Sequence, residues 1–193
     1  MQIPPPSDWI TRWAHLIPDK SPVLDVACGR GRHMKWLQER GLSVVGIDRD
    51  QEALKLASTW GEVHQADIEH GQWPLLDEFG EPIPFGAIVV TNYLWRPLFP
   101  TLLRSIAEGG ILIYETFAQG NEEFGKPSRP DFLLQPAELL EVCSSEKGFQ
   151  IVAYESGALK NPDRCIQRLV AIKSRKVVKM QLIGLNPIGQ SKQ

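Results

Sequence analysis

Cys28-Gly29-Arg30-Gly31 is the segment whose residue types first suggest chemistry. Glycines there let the backbone take up positive φ and approach a ligand, and the N–H groups opening the next helix favour a negatively charged group. Asp25, just upstream, qualifies that reading, because a carboxylate beside the turn repels a pyrophosphate and attracts a cationic centre. Further along, Asn92, Tyr93 and Glu115 provide an amide, a phenol and a carboxylate, groups able to orient an acceptor or take its proton.

The elements that must position these residues follow from β-α alternation. Pro4-Pro5-Pro6 cannot continue a helix, and Ser7-Asp8 caps a short amphipathic one carrying Trp9, Ile10, Trp13 and Leu16, closed by Pro18. Pro22 to Ala27 reads as a short buried strand, broken by the glycine turn and followed by a helix over 32–40 that Gly41 stops. Ser43 to Asp48 is a second strand, Asp50 caps a helix to about Ser58, and Val63 to Asp67 is a third strand. Gly86 to Asn92, a helix near Pro97 to Ala107, and Gly110 to Thr116 continue the series. Phe117 to Gln135, rich in Gly, Pro, Asn and charge, is expected to be a lid loop. A helix from Pro136 to about Ser145 and two strands, Phe149–Leu159 and Arg164–Ser174, complete the chain, the turn at Asn161-Pro162-Asp163 making the last strand antiparallel. Near-continuous apolar strands imply a parallel sheet covered on both faces. The expected fold is therefore α/β: Rossmann-like, doubly wound, with a mostly parallel seven-stranded sheet, an antiparallel last strand and helices on both faces. It is expected as one domain over 1–175, with a partly disordered tail over 176–193.

In open sheets of this kind, ligands bind beyond the carboxyl ends of the strands, where strand order reverses. The dinucleotide turn Gly-x-Gly-x-x-Gly belongs at that place. Counting from Gly29, however, puts Met34 where that turn needs Gly or Ala for close helix–strand packing. Met34 and Asp25 together point away from a nicotinamide or flavin dinucleotide and toward S-adenosylmethionine, whose sulfonium and α-ammonium suit a carboxylate. VLDVACGRGRH resembles the first motif of class I S-adenosylmethionine-dependent methyltransferases, acidic-x-Gly-x-Gly-x-Gly, with Ala27 in place of the first glycine. The resemblance implies that Ala27, Gly29 and Gly31 line the methionine portion of the cofactor. It also implies that Asp48, with Arg49 beside it, binds both ribose hydroxyls, and that Asp67 lies near the adenine amino group with Ile68 packed on the base. TNYLWRPLFP and YETFAQGNEEFGKPSRPDFLL are similar to a small proteobacterial group of methyltransferases, and more loosely to the tellurite-resistance and thiopurine methyltransferases.

The methyl acceptor has to be argued from physics. Methyl transfer is an in-line displacement, accelerated largely by alignment and exclusion of water. Asn92 and Tyr93 end strand four and Glu115 ends strand five, and all three are expected to face the cleft, Asn92 touching the cofactor as well. For an acceptor that must lose a proton, Glu115 is the expected general base and Tyr93 the orienting group. Trp95 is expected to contact a planar acceptor; Arg96, Lys126 and Arg129 would hold an anionic one, under an apolar lid of Phe124 and Phe132. His15, His33, His64 and His70 lack metal-ligand spacing, so no metal is expected. Cys28, Cys143 and Cys165 form no Cys-x-x-Cys pair and fit a cytoplasmic chain, and Cys28 is expected to pack rather than react. A net charge of −2 supplies no broad positive field, which makes a small molecule the expected acceptor and a monomer or homodimer the expected state. Lys173, Arg175, Lys176 and Lys179 keep RNA as the alternative, with a non-catalytic cofactor-binding domain as the third reading. No apolar run has the length of a membrane span, so no membrane partner is expected.

Overall fold

The computed structural model describes residues 3–144 and 147–174. Seven strands form one sheet in the order β3-β2-β1-β4-β5-β7-β6. They are β1 (Val23–Val26), β2 (Val44–Asp48), β3 (Glu62–Gln65), β4 (Phe85–Thr91), β5 (Ile106–Phe117), β6 (Phe149–Leu159) and β7 (Arg164–Lys173). β1 pairs in parallel with both β2 and β4, so strand order reverses at the end of β1, where the glycine turn lies. β2–β3 and β4–β5 are also parallel. β7 runs antiparallel to both β5 and β6, so the last strand of the chain is inserted between them and β6 is the edge.

Alternation along the strands divides their side chains between two cores. On one face, α1 (Asp8–Trp13), α2 (Arg32–Gln38) and α3 (Gln51–Ala57) bury Trp9, Trp13, Met34, Leu37 and Leu54 against Val23, Val89 and Ile113. On the other, α4 (Phe99–Arg104) and α5 (Glu138–Val142) bury Leu102, Leu139 and Val142 against Leu24, Ile88, Leu112 and Leu169. Caps form where the residue types indicate: Ser7 Oγ accepts from the Trp9 N–H, and Asp50 accepts from the Glu52 and Ala53 N–H groups.

Three boundaries differ from the sequence reading. β3 stops at Gln65, leaving Asp67 in the turn beyond it. The helix expected to reach Ala107 starts as a 3-10 turn at Arg96–Leu98 and ends at Arg104, because Ile106 joins the sheet opposite Phe85 and β5 is correspondingly long. The segment expected as a free lid is stitched to the sheet: Ala118 bridges Leu134, and the buried Asn121 side chain donates to the Pro127 carbonyl at 2.9 Å and accepts from the Cys165 N–H at 3.1 Å. Among the described residues, no helix is long and apolar enough to cross a membrane. Ser145, Arg175, Lys176, Lys179 and the tail over 176–193 lie outside the described residues.

Candidate active site

The chain leaves β1 through a turn built on left-handed backbone: Ala27 has φ 54°, Gly29 φ 54° and Gly31 φ 78°. Ala27 carries a cost of about 1 kcal/mol that glycine would avoid. A Cβ added at Gly29 would meet nothing within 4 Å, so this glycine serves conformation and leaves the space above the turn open. Gly31 has a packing role, since its Cβ would stand 3.0 Å from the Ala57 Cα. Met34 fits for a related reason. A Cβ at Gly46 would lie 2.6 Å from Met34 Sδ and 2.8 Å from Cys28 Sγ, so the glycine that permits close helix–strand packing stands on β2 and faces a large residue on α2. Burial pushes the Cys28 thiol well above its ordinary pKa, in keeping with a packing role.

Two cavities meet at Ala27, beyond the carboxyl ends of β1, β2 and β4. The smaller, of 150 Å³, is lined by Asp48, Arg49, Asp67, Ile68 and Tyr93. The larger, of 380 Å³, is lined by Pro4, Gly29, Arg32, His33, Thr91 and Asn92. Asn92 and Tyr93, adjacent in sequence, thus serve different cavities, with Asn92 at φ 54°. Tyr93 stands with the adenosine-side residues rather than beside an acceptor, and its buried hydroxyl has no hydrogen-bond partner. Burial raises its pKa, with Glu69 and Asp67 adding to the rise.

Charge at the turn is unevenly satisfied. Asp25 is fully buried, neither of its oxygens has a hydrogen-bond partner, and desolvation raises its pKa to about 7 against the opposing pull of Arg32. His33 Nδ1 lies 3.8 Å from Asp25 Oδ2, but burial and the Arg32 charge lower its pKa to about 3, so the contact joins a neutral imidazole to a carboxyl and is no ion pair. His33 Nε2 accepts the Ser7 N–H at 3.2 Å, which places the ring proton on Nδ1. Asp48 accepts the Gly29 N–H at 2.7 Å on one oxygen and the Asp50 N–H at 2.9 Å on the other, keeping a lone pair free on each. Asp67 accepts the Glu69 N–H at 3.0 Å and the His70 N–H at 3.3 Å, and its pKa is lowered chiefly by the Glu69 amide.

The residues expected to handle the acceptor are placed differently. Glu115 lines neither cavity; it is 3% exposed, accepts from Ser7 Oγ at 3.0 Å and pairs with Arg168 Nη1 at 3.2 Å. That pairing leaves it no role as a poised base. Arg96 binds Glu138 through Nε at 2.7 Å and Nη2 at 2.9 Å and donates to the Asp131 and Leu133 carbonyls at 2.8 Å, which ties α5 and the 117–135 segment to β4 instead of holding an anion. Arg129 pairs with Asp131 at 2.8 Å over the Phe132 ring, while Phe124, Phe132 and Lys126 are exposed. Trp95 packs half-buried beside the core, its ring centroid 6.1 Å from that of His70. None of these side chains lines either of the two cavities. In their place stand Arg32, His33 and Thr91, which the sequence reading did not assign to the site, although Arg32 and His33 lie inside the VLDVACGRGRH segment. Pro4 carried no signal at all.

Residues 23–110 match the family model of a methyltransferase domain. Among curated relatives, the tRNA U34 carboxymethyltransferase of Proteus mirabilis (strain HI4320) is 29% identical over 171 residues, which cover 76% of this chain and 51% of that protein. The chain spans about half or less of the length of the curated relatives it matches. In fold it is similar to TehB from Haemophilus influenzae, with TM-score 0.66 at 19% identity over 86% of this chain and 62% of that one. It is also similar to an S-adenosylmethionine-dependent methyltransferase of Methanosarcina mazei, with TM-score 0.64 at 16% identity over 83% and 96%.

Proposed function

From the premise that this chain carries an S-adenosylmethionine-dependent methyltransferase domain, we propose that it binds S-adenosylmethionine across the two cavities. The methyl group then passes to a small acceptor that enters by the larger one. The observation that carries this reading is the junction of the cavities at Ala27, with Asp48, Asp67 and Ile68 on one side and the open glycine turn above the unpartnered Asp25 on the other. The residues fit the cofactor: a buried carboxyl without partners favours a cationic ligand, and Asp48 retains a lone pair per oxygen for two hydroxyls.

When bound, S-adenosylmethionine supplies a sulfonium methyl as the electrophile. The chain's own contribution is alignment and exclusion of water. Asp48 and Arg49 hold the ribose, Ile68 and Tyr93 cover the base beside Asp67, and Asn92 stands at the mouth of the larger cavity. Glu115 is committed to Arg168 and Ser7, and the His33 lone pair to the Ser7 N–H, so neither takes the acceptor's proton. The acceptor therefore arrives as a competent nucleophile. RNA is the second reading, favoured by the activity named for the Proteus mirabilis relative, which aligns with 76% of this chain.

Calorimetric titration with S-adenosylmethionine and with NAD tests the cofactor, and preference for NAD would overturn the reading. Asp48→Ala is expected to weaken S-adenosylmethionine by about 1–3 kcal/mol through lost charged hydrogen bonds. Incubation of metabolite and RNA pools with methyl-labelled cofactor separates the two acceptors by where the label lands.

A further inference from the structure

Arg32 opens α2 and lines the larger cavity together with Gly29, Thr91 and Asn92. Its one side-chain hydrogen bond to a described residue is Nη2 to Thr91 Oγ1 at 3.3 Å, a long contact for a group with five donors. Arg96 and Arg168 differ sharply: each is held by carboxylates, Arg96 by Glu138 and Arg168 by Glu115 and Glu155. Burial opposes the charge on Arg32, while Asp25 and Glu115 sustain it. Asp25 and Arg32 influence each other electrostatically, yet no ion pair joins them. A buried carboxyl with no hydrogen-bond partner and a guanidinium with spare donors thus flank one turn.

We propose that Asp25 and Arg32 clamp the zwitterionic amino-acid end of the cofactor, Arg32 taking its α-carboxylate, and that Arg32 makes the site discriminate against adenosine ligands lacking that carboxylate. This rests on the cofactor reading above. A guanidinium fork matches a carboxylate in two parallel hydrogen bonds, and Arg32 has the donors left to make them. Its neighbour His33 is neutral and adds no second positive charge, so a single carboxylate is matched where a phosphate dianion is not. Asp25 supplies the opposite sign for the ammonium carried on the same carbon.

The test compares S-adenosylhomocysteine with 5′-methylthioadenosine, which keeps the adenosine and loses the amino-acid end, by calorimetry without acceptor. The unmodified protein is expected to bind S-adenosylhomocysteine at least tenfold more tightly. Arg32→Ala is expected to weaken S-adenosylhomocysteine tenfold or more while 5′-methylthioadenosine stays within twofold, and that second ligand reports that the variant is folded. Arg32→Lys, which keeps the charge without the fork, should fall between. Unchanged S-adenosylhomocysteine affinity in Arg32→Ala, or equal loss of both ligands, overturns the clamp while leaving the cofactor site standing. Failure of the unmodified protein to bind either ligand would remove the cofactor reading itself.

Discussion

The turn after β1 and the β5–β7 side of the sheet both carry buried polar groups, and they treat them in opposite ways. At the turn, Asp25 and the Tyr93 hydroxyl have no partners and Arg32 has one long hydrogen bond. Across the sheet, Glu115, Arg168, Glu155 and Arg12 form a continuous chain of ion pairs, and Arg96 makes four hydrogen bonds. Groups that the fold saturates hold the fold. Groups that it buries and leaves unsaturated are available to a ligand, because an unpaired buried polar group is costly until something pairs it.

The largest expected effect comes from breaking the saturated side. Arg168 and Glu115 side chains are 15% and 4% exposed, and the Arg168 guanidinium also lies 4.9 Å from the Trp9 ring centroid. Arg168→Met leaves Glu115 buried and uncompensated and is expected to cost about 3–5 kcal/mol of stability. Chemical denaturation measures that loss, and S-adenosylhomocysteine titration of the folded variant should give the affinity of the unmodified protein. A cofactor defect without a stability defect would return Glu115 to the active site.

Much of the turn was legible in the sequence because it is local. Strand, glycine turn, helix and the acid ending β2 are consecutive, so Gly29, Gly31 and Asp48 announce themselves within one β-α-β unit. The methyltransferase resemblance and the seven-stranded sheet are borne out by the domain match and the observed topology. Glu115 and Arg96 were misread because their partners are remote: Arg168 lies 53 residues from Glu115, and Glu138 lies 42 from Arg96. A carboxylate at a strand end looks the same in sequence whether it faces a ligand or an arginine two strands later in the chain. Arg32 and His33 were passed over inside the motif itself, where the family pattern draws attention to the glycines.

A second effect, of about 3 kcal/mol, separates the two titrating groups at the turn. Asp25 keeps its proton to about 7 in the folded chain against 3.8 for an ordinary Asp, so the folded state binds more protons and stability falls as pH rises from about 4 to 7. His33 titrates near 3 against an ordinary 6.5, so the unfolded state binds more protons and stability rises over that interval. Between about 4 and 6.5 the two slopes offset each other in the unmodified protein. Asp25→Asn should expose the His33 slope, with stability rising by about 3 kcal/mol across the window, and His33→Gln should expose the Asp25 slope, with a fall of similar size. Denaturation of both variants over that range checks the signs; slopes of the same sign would show that the pair titrates as one group and that Asp25 is not separately available to a cation.

The smallest effect is the most discriminating. The Tyr93 hydroxyl is buried without a partner in the wall of the smaller cavity, while the neighbouring Tyr114 hydroxyl donates to the Tyr93 carbonyl at 2.8 Å. Removing an unpaired buried hydroxyl relieves its desolvation, so Tyr93→Phe is expected to stabilise the ligand-free chain by about 1 kcal/mol. A hydroxyl that waits for the adenosine should give the reverse on binding, with S-adenosylhomocysteine weakened several-fold in the same variant. Stability and affinity moving in opposite directions is the signature of a group the fold leaves unsatisfied for a ligand. A Phe variant that is more stable and binds as well as before would make this hydroxyl a packing flaw, and the contrast between the two sides of the sheet would then rest on Asp25 and Arg32 alone.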